Sequence, residues 1–275
     1  MKLITKNIEK KVLITILTAL KENNYMQAVE SLPIALDAMY NKIPDKKRIS
    51  YGRVYTIRTL TDYLYRQILE NDLPLFNTAR IIFNNSPEHR CIGVGLGLFA
   101  AAGIRDFSKV LTYFETAADH ENWEVREFAQ MYFRKIIKAH PEKSQEYLLK
   151  KASSKKPNIR RFVAETLRPV QENRWMHKVP DYSLMVLAKL FKEPHIYVRT
   201  AVGNNLSDLA RRNPDMIYKL VKILVYSRDK YSFWIAYRAC RNLVKHDPLR
   251  VMDVLDVNEY KYKNRRYLRI HYEGD

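Results

Sequence analysis

The stretch Val-Arg-Glu-Phe-Ala at residues 125–129 places an arginine between an apolar residue and a run of apolar and small residues. The pattern returns as Ile-Arg-Arg-Phe-Val-Ala at 159–164, Val-Arg-Thr-Ala-Val at 198–202 and, more loosely, Ala-Tyr-Arg-Ala-Cys at 236–240, with a degraded copy at 89–91. From residue 90 onward, its arginines are separated by 36, 34, 39 and 39 residues. A period in this range is typical of stacked two-helix repeats. The pattern therefore predicts an all-α solenoid.

The repeat pattern also predicts the domain organisation. Regular repeats are expected over residues 86–257, and residues 1–85, which show the period poorly, are expected to form atypical terminal repeats of the same single domain. In the tail at 258–275, aromatic and basic residues interleave and the helical pattern stops. Two interpretations of this tail stay open. It is either a solvated segment packed loosely on the last helix or a segment that grips nucleic acid.

Four dipeptides mark helix starts, because each puts a possible capping side chain before a proline. They are Ser86–Pro87, His140–Pro141, Asn213–Pro214 and Asp247–Pro248. Short polar stretches at 119–122, 153–158 and 193–195 predict turns between helices. The charged run at 45–48 predicts a loop.

The charge balance bears on partners rather than on the fold. Lys and Arg number 48 against 30 Asp and Glu, a formal net charge of +18. A basic groove that neutralises phosphates makes nucleic acid the leading partner, with an acidic protein or a membrane surface as alternatives. No apolar run is long enough to cross a membrane. The two cysteines, Cys91 and Cys240, stand in apolar helical contexts, which predicts buried free thiols and a cytoplasmic protein.

Motifs for cofactor or metal chemistry are missing from the sequence. There is no phosphate-binding loop of the Walker type, no zinc-ligand spacing and no nucleophile elbow. Gly93, Gly95 and Gly97 lie in an apolar helical stretch with no strand before them, which predicts close helix packing. We therefore expect neither a cofactor nor a metal.

Three segments, at 122–129, 157–169 and 197–209, each combine aromatic, arginine and carboxylate residues. They resemble the HEAT-like-repeat alkylpurine DNA glycosylases of the AlkC and AlkD families, over roughly residues 87–255. Arg-Arg-Phe-Val-Ala-Glu-Thr-Leu-Arg-Pro at 160–169 and Tyr-Val-Arg-Thr-Ala-Val-Gly-Asn-Asn-Leu-Ser-Asp at 197–208 look closer to AlkC, as does the run at 237–245. Two features depart from AlkC: no immunoglobulin-like domain follows the repeats, and residues 170–174 are unusually polar.

The resemblance implies an α-α superhelix with a basic concave groove that acts on alkylated duplex DNA. A monomer is the simple expectation for so basic a chain. The resemblance also implies hydrolysis of the N-glycosidic bond of bases of the 3-methyladenine or 7-methylguanine type. The implied catalytic carboxylates are Glu127 and Asp208. The residues implied to contact the lesion or the DNA are Trp123, Arg161, Trp175 and Asn204.

Glu127 also stands out without the family. It follows the periodic arginine, a position that Arg161 and Thr200 occupy in the next two copies. Trp123 lies four residues earlier and shares its helix face. A carboxylate can stabilise the positive sugar that forms when a cationic base leaves, and an aromatic ring attracts such a base.

Structural alternatives stay open at this point. The periodic arginines are expected to be ion-pair partners between repeats rather than DNA ligands. Trp123 could be a packing residue, and Asp208 could pair with a repeat arginine. For the whole protein, the alternatives are a non-catalytic nucleic-acid-binding repeat protein and a protein–protein scaffold.

Overall fold

The computed structural model describes the backbone of residues 2–272 and the side chains of residues 10–48 and 52–272. Within these ranges the chain is helical, apart from short turns and one two-stranded hairpin, so the all-α prediction is confirmed. No helix of the described part is long and apolar enough to span a bilayer. The chain divides into two compact units, Met1–His140 and Pro141–Asp275.

The first unit is a set of packed helices. They are α1 (Lys2–Lys21), α2 (Tyr25–Asn41), α3 (Asp45–Glu70), α4 (Leu75–Asn85), α5 (His89–Arg105), α6 (Leu111–Ala118) and α7 (Trp123–Ala139). Helix α1 packs on α2, α4 on α5 and α6 on α7, while α3 and α7 both contact α5. Helix α5 is therefore the centre of this unit, and its buried face is almost continuous from Cys91 to Gly103.

The glycines of α5 allow this close packing. A Cβ atom at Gly93 would lie 2.9 Å from Cδ2 of Phe128 on α7, and one at Gly95 would lie 3.0 Å from the backbone N of Phe83 on α4. Larger side chains would push these helices apart. The interpretation of the three glycines as packing residues is confirmed.

The second unit has two layers of helices and a terminal hairpin. Its elements are α8 (Pro141–Lys151), α9 (Pro157–Thr166), α10 (Asp181–Leu187), α11 (Ile196–Leu209), α12 (Pro214–Tyr226), α13 (Lys230–Ala239), α14 (Pro248–Leu255), β1 (Glu259–Tyr262) and β2 (Arg265–Leu268). Helices α9, α11 and α13 lie side by side, α8 contacts α10, and α12 contacts α14. This arrangement is that of two-helix repeats, as the period predicted.

The predicted helix starts are mostly confirmed. Pro141, Pro214 and Pro248 are the first residues of α8, α12 and α14. The carboxylate of Asp247 caps α14, because it accepts a hydrogen bond of 3.0 Å from the backbone N–H of Arg250. Asn213 makes no such bond, because its Nδ2 donates to the carbonyl of His177 at 3.1 Å. The three helix starts therefore share the proline and not the capping bond.

Two predictions of local structure are wrong. Helix α5 begins at His89, two residues after Pro87, because Glu88 is still extended. The charged run at 45–48 is the first turn of α3 rather than a loop. There Asp45 suits the positive end of the helix and lies 2.6 Å from Arg48, one turn later.

The periodic arginines hold the turns that precede their own helices. Arg126, Arg160 and Arg199 are each the fourth residue of their helix. Arg126 donates to the carbonyls of residues 120 and 121, Arg160 to those of 154 and 155, and Arg199 to that of 194. Arg160 also forms an ion pair with Glu193 at 2.7 Å, which links two repeats as predicted.

Arg238 is not a further copy of this arginine, and that prediction is wrong. It is the ninth residue of α13, whose fourth residue is Phe233. The turn before α13 is held differently, because the carboxylate of Asp229 accepts hydrogen bonds from the N–H groups of Tyr231 and Ser232. An arginine is therefore not needed to secure this turn.

The two cysteines are buried and free, as predicted. Burial raises the pKa of the Cys91 thiol to about 12 and raises that of Cys240 as well. Both thiols are therefore protonated and unreactive near neutral pH.

Candidate nucleic-acid interface

Helix α7 of the first unit carries the predicted aromatic–carboxylate pair. Its N-terminus is capped by Asn122, whose side chain accepts a 2.8 Å hydrogen bond from the N–H of Glu124. Trp123, the first helical residue, is 61% exposed. Glu127, one turn later, is half-buried and accepts a hydrogen bond from the Gln130 side chain. The exposure of the indole disfavours the alternative that Trp123 is an ordinary packing residue.

The second unit gathers arginines around two buried carboxylates. We call this group the arginine cluster. It consists of Arg161, Arg168, Arg238 and Arg241 with Glu165, Asn204 and Asp208. Its side chains come from α9, the residues just after α9, α11, and α13 with the residues that follow it.

Asp208 lies at the centre of the cluster and is only 8% exposed. Its Oδ2 accepts two hydrogen bonds from Arg168, at 2.9 Å from Nε and 2.6 Å from Nη2. Its Oδ1 lies 3.4 Å from Nη2 of Arg241 and 3.7 Å from Nη2 of Arg211. These contacts agree with the alternative that Asp208 pairs with arginines. Its catalytic role stays a prediction.

Arg161, the predicted phosphate ligand, is fixed at one end of the cluster. Its Nη2 lies 3.5 Å from the buried carboxylate of Glu165, which also pairs with Arg168 at 3.1 Å. Its guanidinium carbon lies 4.2 Å from the ring centroid of Tyr197. Such stacking on an aromatic face restricts an arginine without using all its hydrogen-bond donors.

Asn204 lies at the other end, where α11 and α13 approach closely. Its Oδ1 accepts hydrogen bonds of 2.9 Å from Nε of Arg238 and 2.5 Å from Nη1 of Arg241. The approach depends on Gly203, since a Cβ there would lie 2.8 Å from Cβ of Arg238. Burial lowers the pKa of Arg238, and the charge of Arg241 lowers it further. Two like charges are thus crowded together.

The cluster has an excess of positive charge. Its four guanidiniums face two carboxylates, Glu165 and Asp208, which leaves two positive charges over. Guanidiniums pre-oriented by carboxylates and amides are suited to bind phosphate oxygens, because their planar forks match that geometry. The cluster is therefore a candidate site for an anion.

A basic groove of about 780 Å³ adjoins the cluster. Asp208 is the one carboxylate among its lining residues. The cationic side chains of the lining are Arg168, Arg174, Lys178, Arg211 and Arg212. Burial lowers the pKa of His177 in this lining, and the charges of Arg212 and Arg211 contribute in the same direction. The groove is therefore strongly positive.

Sequence reasoning missed most of the groove. Arg168 lies inside one of the AlkC-like motifs, and Arg174, Arg211 and Arg212 line the groove outside the predicted site residues. The signal in the sequence was the arginine pair at 211–212, directly after the apolar end of α11, whereas Arg174 stands in a polar stretch without such a signal. Only the fold brings the residues after α9 to the end of α11.

The structure links some predicted residues and leaves others apart. Within the second unit, Arg161, Asn204 and Asp208 belong to one connected network of side chains. Trp175 does not line the basic groove. Its half-buried ring packs edge-on against Tyr182, with ring centroids 4.9 Å apart. Its contact with DNA stays a prediction, as do the roles of the other predicted residues.

Comparisons with known proteins identify the fold. No family model matches the sequence. The uncharacterized protein YhaZ of Bacillus subtilis (strain 168) is 26% identical over 144 residues, which are 50% of this chain and 38% of that protein. The chain thus spans well under half the length of that relative.

Solved structures match more of the chain. AlkD2 from Streptococcus mutans aligns with a TM-score of 0.50 and 19% identity over 61% of this chain and 80% of that one. The protein smu.31 from Streptococcus mutans UA159 aligns at 0.53 and 20% over 69% and 98%. The Pseudomonas fluorescens alkylpurine DNA glycosylase AlkC, bound to DNA with an abasic site analog, aligns at 0.53 and 14% over 91% and 65%. The chain therefore has the AlkC/AlkD-like fold, which the motif resemblance predicted.

Proposed function

We propose that the protein is a DNA glycosylase that hydrolyses the N-glycosidic bond of cationic alkylated bases in duplex DNA. Bases of the 3-methyladenine and 7-methylguanine type are the substrates. The observation that carries the proposal is the pair on α7, an exposed Trp123 one turn before Glu127. This pair stands on a fold shared with a glycosylase bound to abasic DNA.

The chemistry follows from the charge of the substrate. An N-alkylated purine is already positive, so it leaves as a neutral base that takes the bond electrons, and the positive charge passes to the sugar. The carboxylate of Glu127 stabilises that charge, orients the water that adds to the sugar carbon, and accepts the proton that this water releases. The ring of Trp123 attracts the cationic base. No cofactor is needed for these steps.

The arginine cluster and the basic groove are the proposed phosphate-binding surface. Arg161 holds a backbone phosphate. Asn204 keeps the guanidiniums of Arg238 and Arg241 oriented within the same cluster. Asp208 is proposed to act mainly by positioning Arg168 and Arg241, in addition to any effect of its charge on the lesion. Trp175 is a candidate DNA contact next to Arg174 of the groove.

Base release from methylated DNA tests the proposal directly. Purified protein is incubated with duplex DNA carrying 7-methylguanine or 3-methyladenine, and the free base is quantified. The wild type is expected to release base, and Glu127→Gln is expected to release far less. Glu142→Gln, at an exposed position of α8, is the matched control that should keep full activity. Equal release by Glu127→Gln would overturn the catalytic assignment.

A second candidate function is favoured by the basic groove itself. A repeat protein that binds nucleic acid without cleaving it would use the same cationic side chains. Salt-dependent binding of duplex DNA by a wild type that releases no base would establish this alternative. Salt-independent behaviour and no DNA binding would favour the protein–protein scaffold.

We also propose that the protein acts as a monomer in the cytoplasm, where it meets chromosomal DNA. Size-exclusion chromatography with light scattering checks the oligomeric state, and fluorescence imaging of a fusion checks the location. A stable dimer, or a protein excluded from DNA-containing regions of the cell, would contradict this.

A further inference from the structure

Residues 259–268, near the end of the described chain, form a hairpin. Strands β1 and β2 are antiparallel, with Tyr260 opposite Tyr267 and Lys261 opposite Arg266. The turn is tight, and Lys263 has a left-handed backbone with φ of 55°. Because side chains alternate across a strand, the tyrosines share one side of the hairpin with Arg265, and Lys261 and Arg266 lie on the other side. The segment departs from helix as the sequence predicted.

The tyrosine side anchors the hairpin to α13. Tyr260 is fully buried, and its ring stacks on that of Tyr237 with centroids 4.3 Å apart. The Tyr260 hydroxyl donates to the Tyr237 carbonyl at 2.8 Å, and the Lys261 N–H donates to the Tyr237 hydroxyl at 2.6 Å. After the hairpin, Arg269 pairs with Asp253 of α14 at 2.6 Å. The hairpin is therefore closely packed, and the expectation of a loosely packed tail is wrong.

The hairpin carries a surplus of positive charge. The hairpin contains one carboxylate, Glu259, which pairs with Arg266 at 2.5 Å. Lys261, Lys263 and Arg265 are also exposed, so four cations stand against one carboxylate and the hairpin has a net charge of about +3. Anchored cations lose less freedom on binding an anion than cations on an unstructured tail.

The hairpin adjoins the arginine cluster. Its anchor, Tyr237, directly precedes Arg238, and Tyr260 and Tyr262 lie close enough to influence the pKa of that guanidinium. The hairpin is therefore anchored, within the second unit, on the residue that precedes one guanidinium of the cluster. A single linear polyanion could contact both.

We propose that the hairpin is a second DNA-backbone contact, in which Lys261, Lys263 and Arg265 bind phosphates of the duplex outside the damaged nucleotide. The proposal rests on the proposed function for the identity of the ligand. It adds a binding surface that works without touching the base to be removed. Its role is to hold the duplex in register while the lesion is processed.

A triple variant tests the proposal. Lys261→Gln and Arg265→Gln remove charge from the strands, and Lys263→Asn removes it with a residue that tolerates the left-handed conformation. The matched control is Lys219→Gln, Lys222→Gln and Arg228→Asn, which removes three exposed charges from α12 and from a turn where Arg228 has φ of 54°. Thermal unfolding should be the same for both triple variants.

Binding to an undamaged 25-base-pair duplex is measured by fluorescence anisotropy at several salt concentrations. The plot of the logarithm of the association constant against the logarithm of salt concentration has a negative slope. In the hairpin variant this slope is expected to be shallower by up to about 2.7, roughly 0.9 for each phosphate that is no longer neutralised. Affinity at moderate salt should fall on the order of tenfold. The control variant should match the wild type. An unchanged slope for the hairpin variant, or an equal change in the control, would overturn the proposal.

Two further measurements distinguish this proposal from the glycosylase proposal and from binding to a membrane surface. Base release by the wild type is measured in parallel. DNA binding that depends on the hairpin, without base release, would contradict the glycosylase proposal and still support the hairpin as a DNA contact. Binding to vesicles of anionic phospholipid is measured with the same variants. A hairpin variant that loses vesicle binding but keeps its DNA affinity would replace DNA with a membrane surface as the ligand.

Discussion

Glu127 on α7 and Asp208 on α11 are both carboxylates predicted to act on the lesion, yet their surroundings differ. Glu127 is half-buried, accepts a hydrogen bond from the neutral side chain of Gln130, and shares a helix face with the exposed Trp123. Asp208 is 8% exposed and lies 2.6 Å from Arg168 and 3.4 Å from Arg241. Asp208 is thus held by guanidiniums on both of its oxygens.

Residue type and position in a motif are therefore not enough to assign a role. A carboxylate chelated by guanidiniums already compensates their charge, so its removal should first harm the structure. A carboxylate beside an exposed aromatic ring is placed to meet a cationic ligand. We therefore expect Glu127 to be needed for activity and Asp208 for the integrity of the phosphate-binding surface.

The largest effect is expected for Glu127→Gln. Loss of a carboxylate that stabilises developing charge should reduce base release about 100- to 1000-fold. The free energy of unfolding should change by less than about 0.5 kcal/mol, because the amide fits the same space. Single-turnover assays and urea unfolding measure the two effects. A loss of stability large enough to explain the lost activity would show that Glu127, like Asp208, is needed for the structure.

Asp208→Asn should show the reverse pattern. Removing one partner of a buried ion pair costs about 3 kcal/mol, since the guanidiniums lose their counter-charge. Urea unfolding measures this loss. Combining it with Arg168→Gln should cost less than the sum of the single substitutions, because the two side chains interact directly. Additive losses, with a larger loss of activity than for Glu127→Gln, would show that Asp208 is the main catalytic carboxylate.

A smaller effect is expected at the turn that Arg160 holds. Burial alone would raise the pKa of Glu193, but hydrogen bonds from Arg160 and the His195 N–H bring it below its ordinary value. Its stabilising contribution is therefore present above the unfolded pKa of about 4.3 and is lost as the pH falls through the lower folded pKa. Glu193→Gln should cost about 2 kcal/mol at pH 7.

Unfolding experiments at pH 7, 5 and 3 check this prediction. The difference between wild type and Glu193→Gln should shrink toward acidic pH, since protonation removes the same charge from the wild type. A constant difference across this range would show that the turn does not depend on the ion pair.

The smallest effect is expected for Trp123→Ala, and only in binding. Loss of one stacked aromatic should weaken affinity for DNA with an abasic site or a lesion by about 1 kcal/mol. Stability should change by less than about 0.5 kcal/mol, because the indole is mostly exposed. Anisotropy titrations and thermal unfolding provide the two values. A marked loss of stability would restore the packing interpretation of Trp123.

Much of the fold could be predicted from local sequence signals. The turn arginines contact carbonyls only five or six residues away, and the prolines act on the helix that they begin. Because these contacts recur in successive repeats, the residues that make them recur at a regular spacing in the sequence. Errors arose where another local device replaced the usual one, as Asp229 does before α13 and as Asp45 does at the start of α3.

The candidate site could be predicted only in part. Trp123 and Glu127 are one helical turn apart, so their common face follows from spacing alone. The contacts of Asn204 and Asp208 do not, because their partners are distant in the chain. Arg238 lies 34 residues from Asn204, and Arg168 lies 40 residues from Asp208. No local pattern distinguishes these arginines from those that hold turns.

By itself, the sequence determined the helical class, the two-helix repeat, the surplus of positive charge and the α7 pair, since each depends on spacing or composition within a short stretch. Only the tertiary structure decided which arginines compensate buried carboxylates, which line the basic groove, and that the basic tail is an anchored hairpin. The physical reason is that charge and burial depend on neighbours from several helices. Their distances are set by packing, as at Gly203, and not by position along the chain.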